Sequence, residues 1–182
     1  MIVLGIDPGT ANTGYGVVAR RDGRLFTVDS GLIATAPAGS IESRLATIHA
    51  RIGELIDLHQ PDAVAIEELY FGRNVRSATA VGQARGAVLA AAGARGVACA
   101  GYTPQQIKGA VCGSGAAEKA QVQRMVGTLL ALGATPTNHH SADALAVAIC
   151  HHNHAPRTAA LDVAALTAPA AGRRQLRRAV IG

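Results

Sequence analysis

The chain has 182 residues, 49% of them hydrophobic and only 3% aromatic, enough apolar mass for one well-filled domain. No stretch reaches the roughly 20 apolar residues that a membrane helix requires, and no basic region precedes the first apolar run. A cytoplasmic protein without membrane segments is therefore expected. The net charge of +5 is uneven: from His154 onward, Arg157, Arg173, Arg174, Arg177 and Arg178 face only Asp162, which leaves the body nearly neutral. Bulk charge thus does not make the body a polyanion binder, and any such argument must come from sites. Cys99, Cys112 and Cys150 are odd in number and form no Cys-x-x-Cys pair, which predicts reduced, buried, small hydrophobes.

The first sixteen residues organise the rest. Ile2 to Ile6 is a short apolar run that reads as a buried strand, and it delivers one carboxylate, Asp7, into a Pro8-Gly9 turn. An acid at such a strand end either caps the turn or belongs to a site where something cationic or polar meets it. Tyr15 to Ala19 is a second strand, and Asp22-Gly23 marks a hairpin turn into a third, Leu25 to Ile33. Ser40 is a helix N-cap, and Ile41, Leu45, Ile48, Ile52, Leu55 and Ile56 form the buried face of a helix that stops before Pro61.

Ala63 to Ile66 is a wholly apolar strand followed by Glu67 and Glu68. A helix is expected from Ser77 to Ala92, where Gly82 and Gly86 suit either a close subunit contact or packing on the chain's own sheet. Val97 to Tyr102 reads as a strand, and Thr103-Pro104-Gln105-Gln106 as a capping box with proline in the first helical position. After the Gly113-Ser114-Gly115 break, a helix from Ala117 to Leu132 is expected to bury Val122, Met125, Val126, Leu129 and Leu130. The last helix spans His139 to His151. Residues 1–153 then form one domain, and 154–182, rich in Ala, Pro, Gly and Arg, read as a mobile basic tail. Three strands followed by alternating helices and strands predict an α/β fold: a mixed central sheet flanked by helices.

Two strands end in carboxylates, Asp7 and Glu67. If both are central and parallel, they emerge at the same sheet edge, where open α/β sheets place ligands. His140 and Asp143, at i and i+3, share one face of the last helix, whose apolar continuation must pack on the core. Three carboxylates and an imidazole brought together repel or shift one another, and divalent cations relieve this. Hard oxygen ligands suit Mg²⁺ or Mn²⁺, and two ions about 3.5–4 Å apart clamp an in-line phosphodiester displacement.

The segments IDPGTANTGYG, AIEELYFGRN, GQARGAV, GSGAAEKAQVQ and HHSADALAVAI, in that order, resemble the RuvC family of Holliday-junction resolvases. The resemblance implies an RNase H-like fold, a homodimer and Mg²⁺-dependent paired nicking of four-way DNA junctions. It also implies 5′-phosphate and 3′-hydroxyl ends, and Asp7, Glu67, His140 and Asp143 as catalytic metal ligands. Glu68 competes with Glu67 on spacing, and the resemblance favours Glu67. His140 stands where a fourth carboxylate is also found in the family. A neutral imidazole ligates metal without adding negative charge, and a protonated one cannot ligate, so a more pH-sensitive site is expected.

Lys108 and Lys119 are the only lysines beside fifteen arginines, and both fall in matching segments, where such lysines lie beside the scissile phosphate. A compact ammonium there offsets phosphate charge. By its place in the matching segment Tyr70 is expected to stack on or wedge into opened bases, Phe71 is expected in the core, and Arg73, Asn74 and Arg76 are expected to touch phosphates or base edges. Ser114 offers loop N–H contacts to phosphate. His151, His152 and His154 are expected to fray from a helix end rather than bind metal. The arginine tail either grips DNA nonspecifically or meets a RuvAB branch-migration complex. Two other readings use the same residues. DPGTANTG resembles the phosphate turn of actin, Hsp70 and sugar-kinase ATPases, which need a second such domain. A non-catalytic junction-binding scaffold needs no set of metal ligands.

Overall fold

The computed structural model describes residues 1–68, 75–133 and 138–155. β1 (Ile2–Asp7), β2 (Asn12–Arg21) and β3 (Arg24–Ala34) form an antiparallel meander, and α1 (Ile41–His59) follows. β4 (Ala63–Glu67), α2 (Val75–Gly93), β5 (Cys99–Tyr102), α3 (Pro104–Cys112), α4 (Lys119–Leu129) and α5 (His139–His154) complete it. The sheet order is β3-β2-β1-β4-β5, with β4 parallel to both β1 and β5, which is the mixed sheet expected from the sequence. The β2–β3 turn has positive φ at both Asp22 and Gly23, 51° and 76°, as a two-residue hairpin requires.

Helices cover both faces, and the two-residue period of a strand decides what each face receives. Leu4, Ile6, Val64 and Ile66 pack with α1 and α2 residues such as Ile48, Ile52, Ala84 and Val88. Val3 and Ala65 point the other way, into a core with Ile107 of α3, Val122 of α4 and Leu145 and Ile149 of α5. Continuing this alternation puts Asp7 and Glu67 on the α5 face. The parallel register pairs Ile6 with Ile66, so the two acids end adjacent strands side by side.

Several local expectations are corrected. β5 starts at Cys99 rather than Val97, and α4 starts at Lys119 rather than Ala117, with Glu118 at its N-cap. Leu129, expected inside, is 37% exposed, because Leu130 takes the next core position one turn beyond Val126. Cys99 is exposed and Cys112 half-buried, leaving Cys150 as the one buried thiol. α5 runs to His154, and its last turn does not fray. His152 is fully buried with Nε2 3.0 Å from the Val18 carbonyl oxygen, and His151 Nδ1 lies 2.9 Å from the Tyr102 hydroxyl. The tail reading from 156 onward lies outside the described residues.

Candidate active site

The site is built by laying α5 directly on the sheet. A Cβ at Gly14 would collide with the His140 carbonyl oxygen, and one at Gly5 with the Ala144 carbonyl oxygen, so only glycine lets this helix sit so low on β1 and β2. The start of the helix is fixed by Asn138, whose Oδ1 accepts from the His140 N–H at 2.9 Å, while Ser141 Oγ donates to the Asn138 carbonyl at 2.9 Å. Together these contacts hold the first turn of α5 over the ends of β1 and β4.

The turn after Asp7 is also tied down. Buried Thr13 donates its hydroxyl to the Gly9 carbonyl at 2.8 Å, and Thr35 donates to the Thr10 carbonyl at 2.7 Å. Arg44 Nε, reaching from α1, donates to Thr35 Oγ1 at 2.9 Å and to the Thr10 carbonyl at 3.2 Å. Asn138 carried a readable signal, an Asx residue before a helix. Arg44 and Thr35 carried none, since their partners are backbone atoms distant in sequence.

His140 Nδ1 lies 2.8 Å from Asp7 Oδ2 and donates to it, which leaves Nε2 as the nitrogen available to a metal. Lys119 Nζ lies 2.7 Å from Asp143 Oδ2. A cleft of about 240 Å³ is lined by Glu67, Asp143, Lys108 and Lys119, with Ile107 and Val122 among its apolar walls. Asp7 and His140 lie outside that lining, paired with each other. Glu68 does not compete with Glu67: it is exposed, and its carboxylate lies over Gly101 of β5, where a Cβ would meet it.

Burial pushes the Glu67 carboxyl up to about 7, and the negative charges of Asp7 and Asp143 add to this against Lys119 and Lys108. Asp7 is also raised, chiefly by burial, with the His140 hydrogen bond opposing and Asp143 adding. The hydrogen bond to Asp143 raises Lys119. Among the described residues, no three His, Cys, Asp or Glu side chains are closed tightly enough to hold a metal ion as they stand. Two of the three carboxylates are occupied by the chain's own nitrogen atoms instead. The donor set nevertheless fits a divalent cation: two carboxylates at adjacent strand ends face a third carboxylate and an imidazole on α5, and a bound ion would offset the burial and the mutual repulsion that raise Glu67.

Lys108 and Lys119 both line the cleft that Glu67 and Asp143 border. Ser114 is exposed in the α3–α4 loop, where its Oγ accepts from the Ala116 N–H at 3.3 Å, and it is not part of the cleft lining. Tyr70, Phe71, Arg73, Asn74 and the side chain of Arg76 lie outside the described residues.

The family described as Crossover junction endodeoxyribonuclease RuvC matches residues 3–151. The chain belongs to the RuvC family. A RuvC protein of Moorella thermoacetica is 52% identical over 157 residues, 86% of this chain and 93% of its own length. The Thermus thermophilus RuvC structure superposes with a TM-score of 0.80 at 40% identity, covering 87% of this chain and 97% of that one. The structure of T. thermophilus RuvC in complex with Holliday junction substrate gives 0.83 at 40% identity, covering 87% and 96%. The expected RNase H-like architecture is therefore that of the RuvC fold, and the matched span takes in Asp7, Glu67, His140 and Asp143 together.

Proposed function

We propose that this chain is a structure-selective endonuclease that resolves four-way DNA junctions by paired symmetric nicks in homologous recombination and DNA repair. One observation supports this most directly: in a chain of the RuvC family, Glu67 and Asp143 share a cleft with both lysines, while Asp7 ends the adjacent strand. Asp7, Glu67, His140 and Asp143 would hold the metal, two Mg²⁺ ions per site, with Mn²⁺ able to replace them. Held there, divalent ions would supply Lewis acidity for phosphodiester hydrolysis. The chain's own part is to set Asp7 and Glu67 at adjacent strand ends and to hold Asp143 and His140 over them on α5. Lys108 and Lys119 meet the negative charge that builds on the phosphate. Water replaces the 3′ oxygen at phosphorus, leaving a 5′-phosphate and a ligatable 3′-hydroxyl. No covalent nucleophile is needed.

Two symmetric cuts call for two sites, so the working unit is a two-fold homodimer. α2 is the candidate interface, since Thr79, Gln83, Gly86 and Ala90 recur on its exposed face. Residues 1–153 form the nuclease domain. The arginine-rich tail, 154–182, contacts DNA or a RuvAB branch-migration complex, and the protein works in the cytoplasm. No described helix is long and apolar enough to cross a membrane. The deciding experiment incubates the protein with labelled four-way junction and matched linear duplex in Mg²⁺, Mn²⁺ or EDTA. Symmetric, metal-dependent nicks in the junction alone are expected. Cutting of the linear duplex, or cutting in EDTA, overturns the reading.

A further inference from the structure

The four proposed metal ligands are not equally available. Glu67 has no cation bonded to it among the described contacts, Asp7 is engaged by an imidazole, and Asp143 is engaged by a full ammonium at 2.7 Å. Lys119 reaches Asp143 from the first position of α4, on the lining of the cleft, with a side chain that is 62% exposed against 24% for Asp143. The lysine therefore comes from solvent to a half-buried acid, and it lies over the carboxylate oxygen that a metal needs. An ammonium carries the charge of a cation but donates hydrogens and accepts no ligands, so it can satisfy Asp143 without organising the other donors.

We propose that Lys119 is a positioning residue that guards Asp143: it occupies the carboxylate as a built-in counter-ion, and a divalent cation must displace it to complete the site. This rests on the reading of Asp143 as a metal ligand. Displacement is feasible because the ammonium side of the pair is exposed to water and such pairs are weak, whereas a divalent cation is held by several carboxylates at once. The freed ammonium remains on the cleft wall beside Lys108, so filling the site also turns Lys119 toward the space that Glu67 and Asp143 border.

The test is Mn²⁺ binding to the full chain without DNA, followed by the electron-paramagnetic-resonance signal of the free ion. Parent, Lys119→Met, Asp143→Asn and the double variant are compared after thermal melts show each is folded, with Lys119→Gln as a second neutral variant. Lys119→Met is expected to tighten Mn²⁺ binding about three- to fivefold, and Asp143→Asn to weaken it. In the Asp143→Asn background the gain from Lys119→Met should vanish, since no carboxylate remains to be uncovered. An unchanged or weaker affinity in Lys119→Met overturns the proposal while leaving the ligand set intact. An equal gain in both backgrounds overturns it too, because bulk charge then explains the effect. If Asp143→Asn binds Mn²⁺ as tightly as the parent, the assignment of Asp143 as a ligand falls with it.

Discussion

His140 and His152 lie on the same helix and meet opposite environments. At the first turn of α5, His140 is 44% exposed and donates to a carboxylate on a neighbouring strand end. Near the last turn, His152 has no exposure: its Nε2 donates to the Val18 carbonyl, and its Nδ1 is buried without a partner among the described residues. The first end collects acids within reach of water, and the second buries an imidazole away from it. The two ends therefore respond to pH with opposite signs. Burial raises Glu67 and Asp7 at one end and lowers His152 at the other. A residue type alone says little here; the neighbours and the water decide.

Substitutions at either end sharpen or break that contrast. The largest effect is expected from Asp7→Asn, which removes the acid that His140 meets. Junction cleavage should fall below detection while junction affinity in EDTA, read by gel shift, is retained. Loss of both together would make Asp7 a turn residue and undo the functional half of the comparison.

Next comes Glu67→Gln, read in the metal-free protein by urea titration. Glu67 is raised from 4.5 to about 7 in the folded state, so that state binds the extra proton and stability falls as pH climbs through this window. Above pH 7 the full cost of the buried charge is present, up to about 3 kcal/mol for such a shift. The variant should therefore be more stable than the parent at pH 8 by up to that amount and nearly equal to it at pH 5. Equal stabilities at pH 8 would show that water reaches the carboxylate freely.

Gly14→Ala tests the seat of the helix itself. A methyl group against the His140 carbonyl should cost about 1–3 kcal/mol. Cleavage, measured where the variant is still folded, should drop further than stability, because the first turn of α5 is lifted off the strand ends. The smallest effect belongs to His152→Gln. The lowered folded-state value means that the parent loses stability as pH falls below 6.5, its unfolded value, because a buried ring must then charge. The glutamine amide can keep a donor on the Val18 carbonyl but does not titrate. The variant should lie within about 1 kcal/mol of the parent at neutral pH and show a flatter stability curve between pH 7 and 5.

Much of this could be read from the chain because the signals were local. The apolar run into Asp7, the Asp22-Gly23 turn and the Thr103–Gln106 capping box each depend on neighbours a few residues away, and each formed as expected. What failed depended on distant partners. The helix end at His151 and His152 looks polar and frayed until Tyr102 and the Val18 carbonyl arrive from other strands to receive it. Leu129 and Leu130 are indistinguishable by composition, and only packing against the α5 face puts one outside and one inside. The choice of Glu67 over Glu68, by contrast, was already made on the resemblance and the strand end, and the structure adds a tertiary reason: the second carboxylate lies over Gly101 of β5. The pairing of Lys119 with Asp143 had no sequence signal at all, since it spans two helices.

The glycine seat has one more consequence. Where α5 meets β1 and β2, part of the contact is main chain against main chain, which has no rotamers to re-sort. A change of side chain in either hydrophobic core can be absorbed by repacking around that contact without altering the separation of Asp7 from Asp143. Precision at the reacting groups is thereby uncoupled from the identity of the surrounding residues.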